Sequence, residues 1–252
     1  MSKKLWGSRF EKQTSQLADD FSFSISYDKR LAKYDVKGSI AHATMLGKCK
    51  IIPQKDATKI ICGLKKILTK IEKEQFSFDS KAEDVHTNIQ TELKKLIGPA
   101  ADKLHTARSR NDQIVLDMKM YCMDELSTLM TLTTNLQKSI LCFAKKNPDI
   151  IIPAYTHLQA AQVVLLAHHM LAYIEMLERD KGRLMDALLR MDTMPLGSCA
   201  LSGTSLPTNR KFVAQELNFS QTTHNSIDSV SDRDFIVETL STIAMMGMHF
   251  SR

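Results

Sequence analysis

His105-Thr106-Ala107-Arg108-Ser109-Arg110-Asn111-Asp112-Gln113 leads straight into an apolar-periodic segment that contains no glycine or proline before Pro148. Val115, Cys122, Leu129, Leu136 and Phe143 stand seven residues apart, and Ile114, Met118, Leu126, Leu132 and Ile140 widen the stripe. A repeat of this period and length predicts a helix roughly 50 Å long, lying nearly side by side with others in a bundle. Val163, Met170, Leu177, Leu184 and Met191 repeat the pattern and predict a second long helix, with His168 and His169 packed inside it. A third follows Ser231-Asp232-Arg233-Asp234, which resembles a capping box, with Ile236, Leu240, Ile243, Gly247 and Phe250 on its inner face. The fold class is all-α. Long helices of this kind cannot bury their stripes on one another fully, so association of subunits is expected; a single internal bundle is the alternative.

Upstream, residues 1–27 read as an irregular arm. Asp28 is placed to cap a helix running to about Gly47. Pro53 precedes another, from Gln54 to Lys73, with Ile60, Ile61, Leu64, Ile67, Leu68 and Ile71 on its inner side. Glu83-Asp84-Val85-His86 opens a further helix that Gly98-Pro99 stops. The expected organisation is a small helical domain over residues 1–108 and a long-helix bundle domain over residues 109–252. The latter is incomplete, because the chain ends inside an unfinished helix. Pro195–Thr204, rich in small residues, reads as a loop between bundle helices.

Composition narrows the function. The 252 residues carry 34 Lys+Arg against 28 Asp+Glu, a formal charge of +6, spread through pairs such as Lys65-Lys66 and Lys94-Lys95 instead of one block. With aromatics at 6%, this is the pattern of solvated helix faces and not of a nucleic-acid surface. The 14 methionines read as flexible core filler. The five cysteines are odd in number and form no CxxC pair, which argues against a disulfide framework and a cysteine zinc site. Reduced thiols in a cytoplasmic protein are the simplest reading. No apolar run approaches a membrane span.

The opening motif gathers a histidine, two arginines, hydroxyls and amides where a helix begins. Free backbone N–H groups and the positive end of the helix dipole favour an anion there. A solvated N-cap is the competing reading. Pro153-Ala154-Tyr155-Thr156-His157-Leu158-Gln159-Ala160-Ala161-Gln162 is a second such stretch, also leading into a long helix.

These two stretches, with Lys4-Leu5-Trp6-Gly7-Ser8-Arg9-Phe10 and Asn225-Ser226-Ile227-Asp228-Ser229-Val230-Ser231-Asp232-Arg233-Asp234, resemble the argininosuccinate lyase family within the fumarase/aspartase group. The resemblance covers the chain from Lys4 to Arg252. It implies β-elimination of argininosuccinate to arginine and fumarate, with no cofactor or metal, in a homotetramer whose active sites combine motifs from different subunits. It implies that Arg110, Asn111 and Ser109 hold a substrate carboxylate, and that Thr156 holds a carboxylate too. His157 would transfer a proton or support the base. Ser24 and Asp28 fall where the family binds the amino-acid end of the arginine moiety, though Asp28 reads equally as a helix cap. His86 and His105 sit in matching motifs without an assigned step. Ala107 and Ala154 stand where the family usually has glycine, Ser8 likewise, and Val163 where it has proline. Family members continue into a G-S-S-x-M-P-Q-K-K-N-P loop that carries the serine taken as general base. That motif is absent here, so little lyase activity is expected of this chain alone. Another fumarate-producing lyase, such as adenylosuccinate lyase, and a non-catalytic crystallin-like helical protein are the alternatives.

Overall fold

The computed structural model describes residues 15–252. Helices α1 (Gln16–Ser22) and α2 (Ile25–Asp28) pass through a 3-10 turn into α3 (Ala32–Lys48), α4 (Gln54–Glu72) and α5 (Val85–Ile97). A 3-10 stretch, Gly98–His105, leads to α6 (Arg110–Lys146). Strands β1 (Ile151–Thr156) and β2 (Gln159–Leu165) precede α7 (Leu166–Met191). Then come β3 (Thr193–Met194), α8 (Arg210–Glu216), β4 (Gln221–Thr222), α9 (Ser226–Ser231) and α10 (Asp234–Phe250). The Lys4–Phe10 motif lies outside the described residues. The described part of the expected irregular arm is helical, as α1 and α2.

The chain divides into two compact units, Met1–Tyr121 with Thr193–Asp232, and Cys122–Asp192 with Arg233–Arg252. In the first, α4 begins behind Pro53 and buries Ala57, Ile60, Gly63, Leu64 and Ile67, a helical spacing. Gly47 lets α3 approach α4: a Cβ there would lie 2.8 Å from that of Ala57. Gly38 does the same for α6, where a Cβ would meet Leu116 Cδ2 at 2.7 Å. Asp84 caps α5 by accepting the Thr87 N–H at 2.7 Å, and Gly98, at φ 69°, ends it. Asp28 does not cap the helix after it. Its carboxylate turns instead to the start of α5, where Oδ2 accepts the Val85 N–H at 3.1 Å.

The second unit pairs α7 with α10. Leu177, Leu184 and Met191 are buried at the seven-residue spacing read from the sequence. Between the helices lies a buried polar contact, with Asp180 Oδ2 2.7 Å from His249 Nδ1; on the same helix, Arg183 reaches Asp180 at 3.1 Å.

Several expectations fail here. On α10 the buried positions are Phe235, Thr239, Thr242, Met246 and His249, while Leu240, Ile243 and Phe250 are exposed. That helix is apolar on more than one face, and periodicity alone cannot choose between them. On α6, Val115 and Cys122 are buried, but further along Thr133, Gln137 and Ala144 replace Leu136 and Phe143 on the inside. A strict seven-residue series drifts by about 20° per repeat around a straight helix, enough to turn its far end outward. His168 and His169 are exposed in the first turn of α7. Of the methionines, Met45, Met191, Met194 and Met246 are buried core filler, while Met185, Met245 and Met248 are exposed. Val163 belongs to a strand: β1 and β2 form an antiparallel hairpin where the sequence pointed to helix.

The buried and exposed stripes make a contrast that can be measured. Leu184→Ala should lower unfolding free energy by about 2–5 kcal/mol in urea titrations. Lys138→Ala, at an exposed position of α6, should stay within about 1 kcal/mol of wild type.

Candidate functional site

The start of α6 is fixed by side chains that accept from its free backbone N–H groups. Ser109 Oγ accepts the Asn111 N–H at 3.2 Å, and Asp112 Oδ1 accepts the Ser109 N–H at 3.0 Å. Asp112 is fully buried, and its Oδ2 accepts N–H groups from Gly197 at 3.0 Å and Cys199 at 2.8 Å. Burial pushes its carboxyl up from the ordinary value, and these backbone donors hold it back. The Pro195–Thr204 segment, a loop as expected, is thereby tied to the helix tip, where Asn111 Nδ2 also donates to the Ala200 carbonyl at 2.8 Å.

The residues before Ser109 are held from α3. His42 Nε2 lies 2.9 Å from the Thr106 carbonyl oxygen, so the neutral ring carries its proton there. Burial, then the Arg108 charge, lowers the His42 pKa to about 3. Arg108 Nη1 donates to Ser39 Oγ at 2.7 Å. Ala107, in the family's glycine position, sits at φ 54°. That left-handed conformation is free of penalty for glycine and strained for alanine.

Arg110 is oriented by Asp84, the cap of α5: Nε lies 3.1 Å from Asp84 Oδ2, and Nη1 donates to Gln113 Oε1 at 3.2 Å. Beside it, Ser24 Oγ donates to Asp28 Oδ2 at 2.6 Å. Asp28 Oδ1 is buried and accepts no hydrogen bond. Burial raises the Asp28 pKa, against the bonds from Ser24 and Val85. An open cavity of about 660 Å³ adjoins Arg110, with Lys94, Lys95 and His105 among its walls. The first unit therefore joins Ser24, Asp28, Asp84 and Arg110 through the N-terminus of α5, with Ser109 and Asn111 next in line.

Thr156 and His157 belong to the second unit. Thr156 pairs with Gln159 across the hairpin, and His157 and Leu158 form its two-residue turn with φ of 52° and 64°. Both central residues are left-handed, the geometry that hairpins usually reserve for Asn-Gly. The turn holds His157 at an exposed tip.

Sequence reading missed Asp84 and Asp112. Asp84 was legible only as a helix opener. Asp112 stands three residues after Ser109, the spacing of a capping box, which is the signal that marks it.

A protein-family model described as Lyase matches residues 8–252. The argininosuccinate lyase of Geotalea daltonii is 51% identical across 100% of this chain and 55% of its own length. That of Oceanobacillus iheyensis is 49% identical across 99% of this chain and 54% of its own length. The chain thus spans about half the length of the relatives it matches. Among solved structures, EDDS lyase in complex with formate superposes with a TM-score of 0.78 at 24% identity, covering 94% of this chain and 46% of that one. This likeness places the helical fold.

Two outcomes follow from the geometry at the start of α6. Asp112→Ala strands three backbone N–H groups and should destabilise by about 3 kcal/mol, with faster amide exchange at Gly197 and Cys199; unchanged exchange there contradicts the anchoring. His42 is neutral in the fold at about 3 against an ordinary 6.5. Its contribution is complete above the ordinary value and is lost as pH falls through that window. Relative to His42→Gln, wild type should lose about 2 kcal/mol between pH 6.5 and 5 in urea titrations. A constant gap between the two proteins contradicts it.

Proposed function

Since this chain belongs to the lyase family, we propose that it supplies the carboxylate-recognition half of an argininosuccinate lyase, which cleaves argininosuccinate to arginine and fumarate in arginine biosynthesis. The observation that carries the reading is the match to argininosuccinate lyases at about half identity along the entire chain.

In the elimination, a base removes a proton next to a substrate carboxylate. The electron pair left on carbon forms the new double bond, the C–N bond breaks, and the departing guanidine nitrogen takes up a proton. Before the bond breaks, negative charge accumulates on that carboxylate. Donors fixed around it lower the barrier, one such donor being worth about 3–4 kcal/mol. Arg110 offers N–H groups beyond those held by Asp84 and Gln113. Asn111 and Ser109 add an amide and a hydroxyl, and Thr156 a further hydroxyl for a carboxylate. His157, at the hairpin tip, moves a proton or supports the base. The unsatisfied Oδ1 of Asp28, with Ser24 holding its other oxygen, suits the positive amino group of the arginine moiety.

The protein works as a cytoplasmic homotetramer, its sites shared between subunits. Supporting this, Leu132 on α6, Leu189 on α7 and Leu240 on α10 are each more than half exposed. Such apolar faces are costly in water and suit burial against other copies. Among the described residues no helix is long and apolar enough to cross a membrane.

The test is fumarate release from argininosuccinate by the protein expressed in its natural reading frame. Turnover should fall by about a hundredfold or more in Arg110→Ala and in His157→Ala. Wild-type rates in Arg110→Ala, or fumarate released from adenylosuccinate and not from argininosuccinate, would overturn the reading.

A further inference from the structure

The interior of the first unit holds a cluster that the lyase reading leaves unused. Asp35 on α3, His86 on α5 and Asp117 on α6 each present one ligand atom, all within 4.8 Å of one another. His86 Nδ1 lies 3.1 Å from Asp35 Oδ1 and 3.6 Å from Asp117 Oδ2. All three residues are at most 4% exposed. Yet neither oxygen of Asp117 accepts a hydrogen bond, and His86 Nδ1 has the Asp35 carboxylate as its near partner. Buried carboxylates are ordinarily paired, hydrogen-bonded or bound to metal, so the two unpaired oxygens of Asp117, buried beside His86 and Asp35, mark a missing partner.

The spacing indicates what that partner is. A first-row divalent ion binds imidazole nitrogen and carboxylate oxygen at about 2.0–2.2 Å, which sets neighbouring ligand atoms roughly 3.0–3.5 Å apart. Of the two distances at His86 Nδ1, 3.1 Å falls in that range and 3.6 Å lies just above it. We propose that Asp35, His86 and Asp117 bind one divalent cation of the Zn²⁺ or Mn²⁺ class, tying α3, α5 and α6 together. One nitrogen and two carboxylates, without sulfur, suit such ions. The outer partners are present too: the Gln113 side-chain amide donates to Asp35 Oδ1 and orients it. Arg108 opposes a cation here, and its field acts on both aspartates. The carboxylates of Asp28 and Asp112 counter it, the first acting on Asp117 and the second on Arg108. A proton is the rival occupant, because burial and then the neighbouring Asp35 push the Asp117 carboxyl well above its usual range.

The test uses the 252-residue chain, stripped with EDTA, incubated with Mn²⁺ or Zn²⁺ alone and desalted. One retained equivalent per chain is expected, with Tm raised by about 5 °C at saturating metal. Asp117→Asn and His86→Asn should each weaken binding more than about tenfold, the loss that outer partners alone can produce. His169→Ala, at an exposed histidine, should leave it unchanged. If the two ligand variants do not fold, X-ray absorption on the loaded wild type decides, with one nitrogen and carboxylate oxygens expected around the metal. The proposal is overturned by no retained metal, by equal retention in Asp117→Asn, or by a shell of several imidazoles from surface histidines. It is overturned too if Asp117→Asn gains stability and neither protein takes up metal, which identifies the proton as the occupant.

Discussion

A buried carboxylate at the foot of a helix has to find donors, and the geometry around the start of α6 follows from how Asp112 finds them. One oxygen takes the N–H of Ser109, so the helix begins where it does. The other takes two N–H groups from the loop after β3, so that loop is tied to the helix tip. Asn111 is then held from the loop side by the Ala200 carbonyl, and Arg110 from the α5 side by Asp84. Asp84 and Asp28 repeat the principle at the start of α5: one caps it through Thr87, the other accepts from Val85. Three carboxylates thus set three chain segments around one arginine. Each is worth more as an anchor than as a charge, because stranding buried N–H groups costs about 1–3 kcal/mol apiece.

Much of this was legible in the sequence, and the exceptions have physical causes. The start of α4 behind Pro53, the end of α5 at Gly98 and the inner stripe Leu177, Leu184 and Met191 of α7 are local effects, and local effects are written in neighbouring residues. Which face of α10 turns inward is not local. Its alternative stripes are both apolar enough, and partners elsewhere in the chain decide. The hairpin that carries Thr156 and His157 was hidden for another reason. Its turn uses His157 and Leu158 at positive φ without glycine or asparagine, so it lacks the residues that announce such turns. The carboxylate anchors were half hidden: Ser109 and Asp112 have capping spacing, but the donors from Gly197 and Cys199 come from more than eighty residues away.

Left-handed backbone occurs at helix ends such as Lys50, Glu74 and Asn218, and also at two positions that the lyase reading needs. Ala107 and His157 both hold left-handed backbone conformations, one directly ahead of the arginine motif and one at the tip of the hairpin. Asp28 keeps a buried oxygen unsatisfied. Such features cost stability within the chain, and they fit a surface that is completed by a ligand. The exposed apolar stripes of α6, α7 and α10 are a separate deficit of the same kind, a demand for covering that the described residues do not meet.

The central claim is that Arg110 and Asn111, fixed from both sides, present their free N–H groups to a ligand carboxylate. Side-chain nitrogen NMR of the protein during titration with fumarate tests it most directly. The account predicts saturable shifts of the Arg110 guanidinium and the Asn111 amide with fumarate, and none with uncharged fumaramide. Identical responses to both compounds, or shifts that avoid these two residues, would contradict it.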